Sequence, residues 1–409
     1  MDPRLLAKAA RPGRVRGIGL ELYRAAAAEP RRAGAVLHDG LRRARALHSR
    51  ERRFVADALH DLIRHERLLD RATGLDTPES RWHAWLVHLG LPVDEAAATW
   101  EGAMVGWDRA THLRRGATEE EISGLHPAVF AEVQRAFGDL TGQFIDASNE
   151  RADTVLRANR KRTDRARLLA RLAKDGVPCH AGRWTPDAVV VEGRANLHGL
   201  RAFREGWFEI QDGGSQALAA LVPDGGPGLD LCAGAGGKTL AVAARGAGPV
   251  LATDVRARAL TELRRRAERA RTPTQTRHIG DGPLPDDIPM MAWVLVDAPC
   301  SGTGVLRRHP EHRWQLDDAR LAELTALQRR LLARGATRVR PGGTLVYGTC
   351  SVLPCENEDV VEAFLRDHPE FSPAPASARV PWAGGVLRTA PHTHGCDGLF
   401  GAVLTRRRG

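Results

Sequence analysis

The sequence predicts a doubly wound α/β domain built on a mostly parallel sheet, preceded by an all-α domain and a small α+β module. Three observations carry this expectation. From about residue 206 onward, short apolar runs alternate with helical patterns, as in a parallel sheet covered on both faces. Residues 1–150 place apolar side chains at helical spacing, with no competing strand pattern. Between them, over 151–205, the chain is mixed in pattern and strongly basic.

In the first region, Leu37 to Leu69 reads as one helical stripe with Leu41, Ala44, Leu47, Phe54, Val55, Leu59, Leu62 and Ile63 as its core. A further helix is expected from Ser80 to Leu86, capped by Ser80, and another from Pro127 to Leu140. In the module, Arg157, Arg160, Lys161, Arg162, Arg165, Arg167, Arg171 and Lys174 face a single acid, Asp164, and 188–191 reads as a strand. Such a run is ordinarily a solvated helix face. Its place beside the α/β domain favours a nucleic-acid contact. In the last region, strands are expected at 228–232, 249–253, 276–279, 292–297 and 343–347, with an antiparallel pair near 386–390 and 399–405. Helices are expected at 238–245, 257–271, 318–338 and 356–366.

The 409 residues suffice for two or three domains. A hydrophobic content of 43% with 27% charged residues is that of a soluble globular chain. No apolar run approaches the roughly 18 residues of a membrane span. Six cysteines without a secretory leader point to reduced thiols and a cytoplasmic setting. The net charge of +10 favours a polyanionic partner, nucleic acid first. Nothing demands more than a monomer.

The chemistry concentrates in three turns. The first, Asp230-Leu231-Cys232-Ala233-Gly234-Ala235-Gly236-Gly237-Lys238-Thr239, is a glycine-rich strand-to-helix turn that lets a backbone approach a nucleotide or adenosyl group. It is not a phosphate-binding P-loop, because Cys232 stands where that motif needs its first glycine. Asp254, about twenty residues on, is placed for a ribose hydroxyl or for a helix cap. Asp281 ends the third strand candidate. The second turn is Asp297-Ala298-Pro299-Cys300, and the third is Gly348-Thr349-Cys350-Ser351. A carboxylate and two thiols at strand ends suit a flat heterocycle. Addition of a thiolate to carbon 6 of a cytosine makes carbon 5 able to attack an electrophilic methyl group. A second thiol can then assist release. Cys350 and Cys355 with His392, His394 and Cys396 match no zinc spacing, so no metal is expected.

These motifs resemble those of the RsmB/NSUN-type RNA (cytosine-5) methyltransferases. The likeness rests on Leu229–Thr239, Val294–Gly304, Arg307-Arg308-His309-Pro310-Glu311, Leu345–Glu358, Leu156–Arg160, Gly206–Asp212 and Asp397–Phe400. It covers about 150 to 405. Ala33 to Leu69 is similar, more loosely, to the NusB-like RNA-binding domain of bacterial members. The resemblance implies a Rossmann-like class I methyltransferase domain over 206–409, an RNA-contacting module over 151–205 and a NusB-like domain over 1–150. It implies Cys350 as nucleophile, Cys300 in product release, Asp297 on the cytosine and Lys238 as an anchor. It further implies S-adenosylmethionine held by Cys232, Ala233, Gly234, Ala235, Gly236, Gly237, Lys238, Asp254, Asp281 and Asp297. The substrate would be RNA, ribosomal before transfer RNA. The chain departs from the family's Ala-Pro-Gly-Gly-Lys by reading Gly234-Ala235-Gly236-Gly237-Lys238, which predicts a looser loop.

Other readings stay open on the residues alone. A DNA-type cytosine methyltransferase would use Cys300 as nucleophile, leaving Cys350 without a role. An amino-group methyltransferase needs no thiol. A non-catalytic RNA-binding assembly factor could keep the fold.

Overall fold

A computed structural model describes residues 3–100 and 107–408. Residues 101–106, within the stretch expected to be helical, lie outside the described residues. The chain forms two compact units: Met1–Asn149 with Leu306–Arg320, and Glu150–Val305 with Leu321–Gly409.

The first unit is helical around a core that includes Tyr23, Leu59, Leu62, Trp82 and Trp85. The single stripe expected over 37–69 is two helices, Ala33–Arg43 and Ser49–Thr73. The break follows from local chemistry. Glu51 accepts the His48 backbone N–H at 3.0 Å, starting a new helix, and also grips Lys8 and Arg14. Ser80 is not the cap of its helix. That helix is Pro78–His88, and Thr77 caps it by accepting the Ser80 N–H at 3.2 Å. Pro78 at the first helical position needs no N–H partner, which moves the start upstream.

Leu306–Arg320, expected within the catalytic region, packs into this helical unit instead. Arg64 donates to the Arg307 carbonyl at 2.7 Å. Arg313 donates to the Ser123 carbonyl at 2.8 Å and to Asn149 Oδ1 at 2.7 Å. These bonds span large sequence separations, which no local pattern reveals.

The second unit holds two sheets. The smaller is antiparallel, with order β2-β3-β1-β4, from β1 Thr154–Ala158, β2 Cys179–Ala181, β3 Ala188–Val191 and β4 Phe208–Ile210. The helix Arg165–Lys174, capped by Asp164, lays Leu168 and Leu172 on it. The basic run is therefore not one solvated face. Arg157 lies on β1, buried, donating to Gln211 Oε1 at 2.6 Å. Arg160 pairs with Asp187, and Arg165 holds backbone carbonyls.

The larger sheet has order β10-β12-β9-β8-β5-β6-β7, with β11 paired to β12. Its strands are β5 Gly228–Asp230, β6 Val250–Asp254, β7 Gln275–His278, β8 Met291–Asp297, β9 Val339–Thr349, β10 Phe371–Ala374, β11 Leu387–Arg388 and β12 Phe400–Arg406. β9 to β7 are parallel, and β12 and β10 are antiparallel. This is the expected doubly wound, Rossmann-like sheet. β10 was not foreseen. It carries Pro373, and a proline is tolerated in a strand at a sheet edge.

Candidate active site

In an open parallel sheet, ligands collect at the carboxyl ends of the strands. Register decides which loops meet there. Asp297, the last residue of β8, pairs with Gly348 of β9, two residues before Cys350. On the other side β8 adjoins β5, with Leu295 beside Asp230. β6 follows, with Ala252 beside Asp230, and then β7, with His278 beside Asp254. The loops carrying Cys350, Cys300, Lys238, Asp254 and Asp281 thus follow one another along a single sheet edge.

The two thiols meet. Cys300 Sγ and Cys350 Sγ lie 3.3 Å apart, both half-buried. The hydrogen bond to Cys350 and then burial push the Cys300 thiol well above its ordinary range. Cys300 therefore keeps its proton. Beside them, Lys238 Nζ lies 2.7 Å from Asp297 Oδ2. Burial opposes the Lys238 charge, but Asp297 outweighs it and raises the Lys238 pKa, so the ammonium persists.

Backbone and buried polar groups brace both cysteine loops. The Ala298 N–H donates to the Gly348 carbonyl at 2.8 Å, and the Gly304 N–H to the Cys350 carbonyl at 3.0 Å. Glu356, fully buried, accepts from Ser301 N at 2.8 Å, Ser301 Oγ at 2.5 Å and Gln328 Nε2 at 2.8 Å. Tyr347 donates to the Glu356 carbonyl at 2.6 Å. The sequence reading placed Glu356 and Glu358 together at a helix start. Glu356 instead sits in a 3-10 turn, Pro354–Glu356, and the helix begins at Glu358. The brace depends on residues far apart in the chain, so spacing could not reveal it.

The glycine loop is built as a cradle. Gly234 and Gly236 adopt φ +54 and +85, a region that disfavours side chains. A Cβ on Gly236 would lie 2.5 Å from Leu263 Cγ. No side chain caps the helix Gly237–Arg245 that follows, which leaves its first amides to a ligand or solvent. Looseness expected from the missing proline is countered from outside. Arg266, paired with Glu209, donates to the Ala235 carbonyl at 2.8 Å. Gln211 donates to the Gly237 carbonyl at 3.2 Å. Asp254 accepts the Gly234 N–H at 2.7 Å and the Arg256 N–H at 2.8 Å. Burial works to raise the Asp254 pKa, but these bonds and the Arg256 guanidinium hold it low.

Two further acids differ. Asp230 is buried and bonded through one oxygen, to Thr239 Oγ1 at 2.6 Å, while its Oδ1 is unpartnered. Burial pushes its pKa up to about 7. Asp281 is exposed, beyond the end of β7, and lines an 820 Å³ cavity with Leu331 and Arg334. Burial, then Asp230, pushes the Cys232 thiol up strongly, which unsuits it as a nucleophile. Among the described residues, the group that brings three metal-type ligands together is His309, Glu311 and His312. It does not include Cys350, Cys355, His392, His394 or Cys396.

Residues 220–405 match the family described as 16S rRNA methyltransferase RsmB/F, and residues 126–198 match its ferredoxin-like domain. The chain is 36% identical over 304 residues to the ribosomal RNA small subunit methyltransferase B of Klebsiella pneumoniae, covering 71% of this chain and 68% of that protein. The chain belongs to the RsmB/F methyltransferase family. Its cofactor is S-adenosylmethionine, and the uncapped glycine cradle fits such a ligand. The namesake protein of Sodalis glossinidius is 38% identical over 274 residues, covering 63% of this chain and 61% of that protein. Two solved structures share the fold. One, titled as PH0851, has a TM-score of 0.75 at 23% identity, covering 96% of this chain and 98% of that one. The other is NSun6 from Pyrococcus horikoshii with SFG, with a TM-score of 0.64 at 18% identity, covering 70% of this chain and 100% of that one.

Proposed function

We propose that this chain forms 5-methylcytosine in small-subunit ribosomal RNA through a covalent bond between Cys350 and the base. The observation that carries the reading is the 3.3 Å approach of Cys300 and Cys350 beside the Lys238–Asp297 pair. The relatives are ribosomal RNA small subunit methyltransferases B, which supports ribosomal RNA over transfer RNA. No helix among the described residues is long and apolar enough to cross a membrane.

The target cytosine leaves its stack to reach the sheet edge. Asp297, with one oxygen tied to Lys238, offers the other to the exocyclic amine of the base. Cys350 Sγ bonds to carbon 6 as its proton passes to ring N3, and the broken carbon 5–carbon 6 π bond becomes electron density on carbon 5. S-adenosylmethionine, when bound, supplies the methyl group. The loop 232–238, with Asp254 and Asp281, would hold that cofactor. Release requires a water molecule to take the carbon 5 proton, whose electron pair re-forms the carbon 5–carbon 6 double bond as the Sγ–carbon 6 bond breaks. Cys300, within contact of the same sulfur, assists by donating a hydrogen bond to the departing thiolate.

The test is covalent trapping on an unmodified small-subunit rRNA transcript. Cys300→Ala accumulates a protein–RNA adduct that survives denaturing electrophoresis, while Cys350→Ala forms none and loses turnover by roughly 10⁴-fold or more. The reverse pattern would make Cys300 the nucleophile. Bisulfite mapping of a deletion strain should show one or very few unmarked cytosines in small-subunit rRNA; loss confined to transfer RNA would reassign the substrate.

A further inference from the structure

The motif His392–Cys396 takes no part in the chemistry above, and the basic module has no assigned contact with the reaction. The two meet in a groove of 470 Å³, lined by His180, Arg183 and Trp184 on one wall and by Thr393, His394 and Cys396 on the other. We propose that this groove seats an unpaired nucleotide flanking the target cytosine, with Trp184 and Arg183 as the residues that grip it. This rests on the RNA reading above.

The groove is chemically suited to a base and its phosphate. The Trp184 indole Nε1 donates to the His394 carbonyl at 2.5 Å, and the Trp184 backbone carbonyl accepts from Trp382 Nε1 at 2.8 Å. The Arg183 guanidinium lies over that indole, 4.6 Å from the ring centroid. The His394 ring stands 4.8 Å from the same indole. Arg183 and His180 are exposed, and Arg183 has no ion-pair partner among the described residues. Aromatic and guanidinium planes with a free cation are what proteins present to splayed single-stranded bases. Arg165 holds the loop in shape, donating to the Gly182 and Thr185 carbonyls at 3.1 and 3.4 Å.

Both walls are wired to the reaction site, which sets the occupant. From one wall, Thr185 Oγ1 donates to Gln216 Oε1 at 2.8 Å, and Gln216 donates to the Gln211 carbonyl at 3.0 Å. The Gln211 side chain in turn holds Gly237 of the cofactor loop. From the other, Cys396 is followed by Asp397, whose N–H donates to Asp212 Oδ1 at 3.0 Å. Gly398 donates to the Gly304 carbonyl at 2.8 Å, and Gly304 to the Cys350 carbonyl at 3.0 Å. Two residues of chain span at most about 7 Å, so this wall joins the Cys350 loop through a single intervening residue, Gly304. That connection favours as occupant a nucleotide flanking a cytosine at Cys350.

The experiment measures KM and kcat on the small-subunit rRNA transcript, and S-adenosylmethionine affinity by calorimetry, for Arg183→Ala and Trp184→Leu. Loss of one stacked base contact predicts a rise in KM for RNA of about tenfold, with kcat and cofactor affinity unchanged. Trp184→Leu keeps an apolar side chain but removes the ring; should it unfold, the exposed Arg183→Ala decides alone. Wild-type KM in the folded variants overturns the groove while leaving the proposed function standing. A fall in kcat or cofactor affinity at constant KM overturns it too, since the wall would then serve the loops rather than the RNA. A wild-type chain that neither binds nor methylates the transcript overturns both.

Discussion

The cysteine loops and the glycine loop lie at neighbouring strand ends, yet they are held in opposite ways. The cysteine loops are braced from within. Buried Glu356 gathers Ser301 and Gln328, and the Ser301, Thr303 and Ser351 hydroxyls lie 3.1 Å from one another. The glycine loop is held by bonds from residues outside it, Arg266, Gln211 and Asp254. The proposed covalent chemistry needs two sulfurs kept in register, which a polar brace around their loops provides. The proposed cofactor binding needs room inside the loop, which supports placed outside it leave. On the proposed function, the difference suits one sheet edge to both tasks.

Breaking the internal brace should have the largest effect. Glu356→Ala leaves the buried Ser301 N–H without an acceptor and takes one of two acceptors from Gln328 Nε2, which keeps only the Pro299 carbonyl, and should destabilise the chain by about 3–5 kcal/mol. Glu356→Gln keeps the shape and should cost less, about 1–2 kcal/mol, lowering kcat more than cofactor affinity. Denaturant melts read the first, and single-turnover kinetics with calorimetry the second. Unchanged stability in Glu356→Ala would mean that the cysteine loops do not depend on this carboxylate.

Next comes pH. Burial raises Asp230 from 3.8 to about 7 in the folded chain, so folding favours its protonated form. That contribution is whole below the unfolded value and disappears as pH rises through 7. Asp230→Asn keeps the acceptor for Thr239 and removes the titration. Without cofactor the variant should match wild type near pH 4 and exceed it at pH 8 by up to about 4 kcal/mol. Parallel stability–pH curves would place the Asp230 pKa near its ordinary value.

The smallest effects should separate the two glycines. Gly236→Ala brings a side chain against Leu263 as well as into a left-handed backbone, costing about 2–4 kcal/mol and weakening S-adenosylmethionine binding. Gly234→Ala meets nothing nearer than Arg256 Nη2 at 3.5 Å, so only the backbone cost of about 1–2 kcal/mol remains. Equal losses would show the cradle to be supported alike at both positions.

The alternation of apolar strand and amphipathic helix was legible because β5, β6, β8 and β9 are short, largely buried runs bounded by Gly, Pro and Asp. The glycine turn and both cysteine turns were legible because each motif is contiguous. β10 was not, since an edge strand carrying Pro373 lacks the apolar run. Arg157 misled because a charge within a basic run looks solvated, whereas strand alternation turns it inward onto Gln211.

Residue order by itself determined the class of fold, the cradle and the three chemical turns, since periodicity and backbone freedom are properties of neighbouring residues. Only the tertiary structure decided that Cys300 meets Cys350, that Lys238 reaches Asp297, that Glu356 braces both thiol loops and that Leu306–Arg320 joins the helical unit. Such pairings are set by strand register and packing between distant segments, and the pattern of neither partner alone contains them.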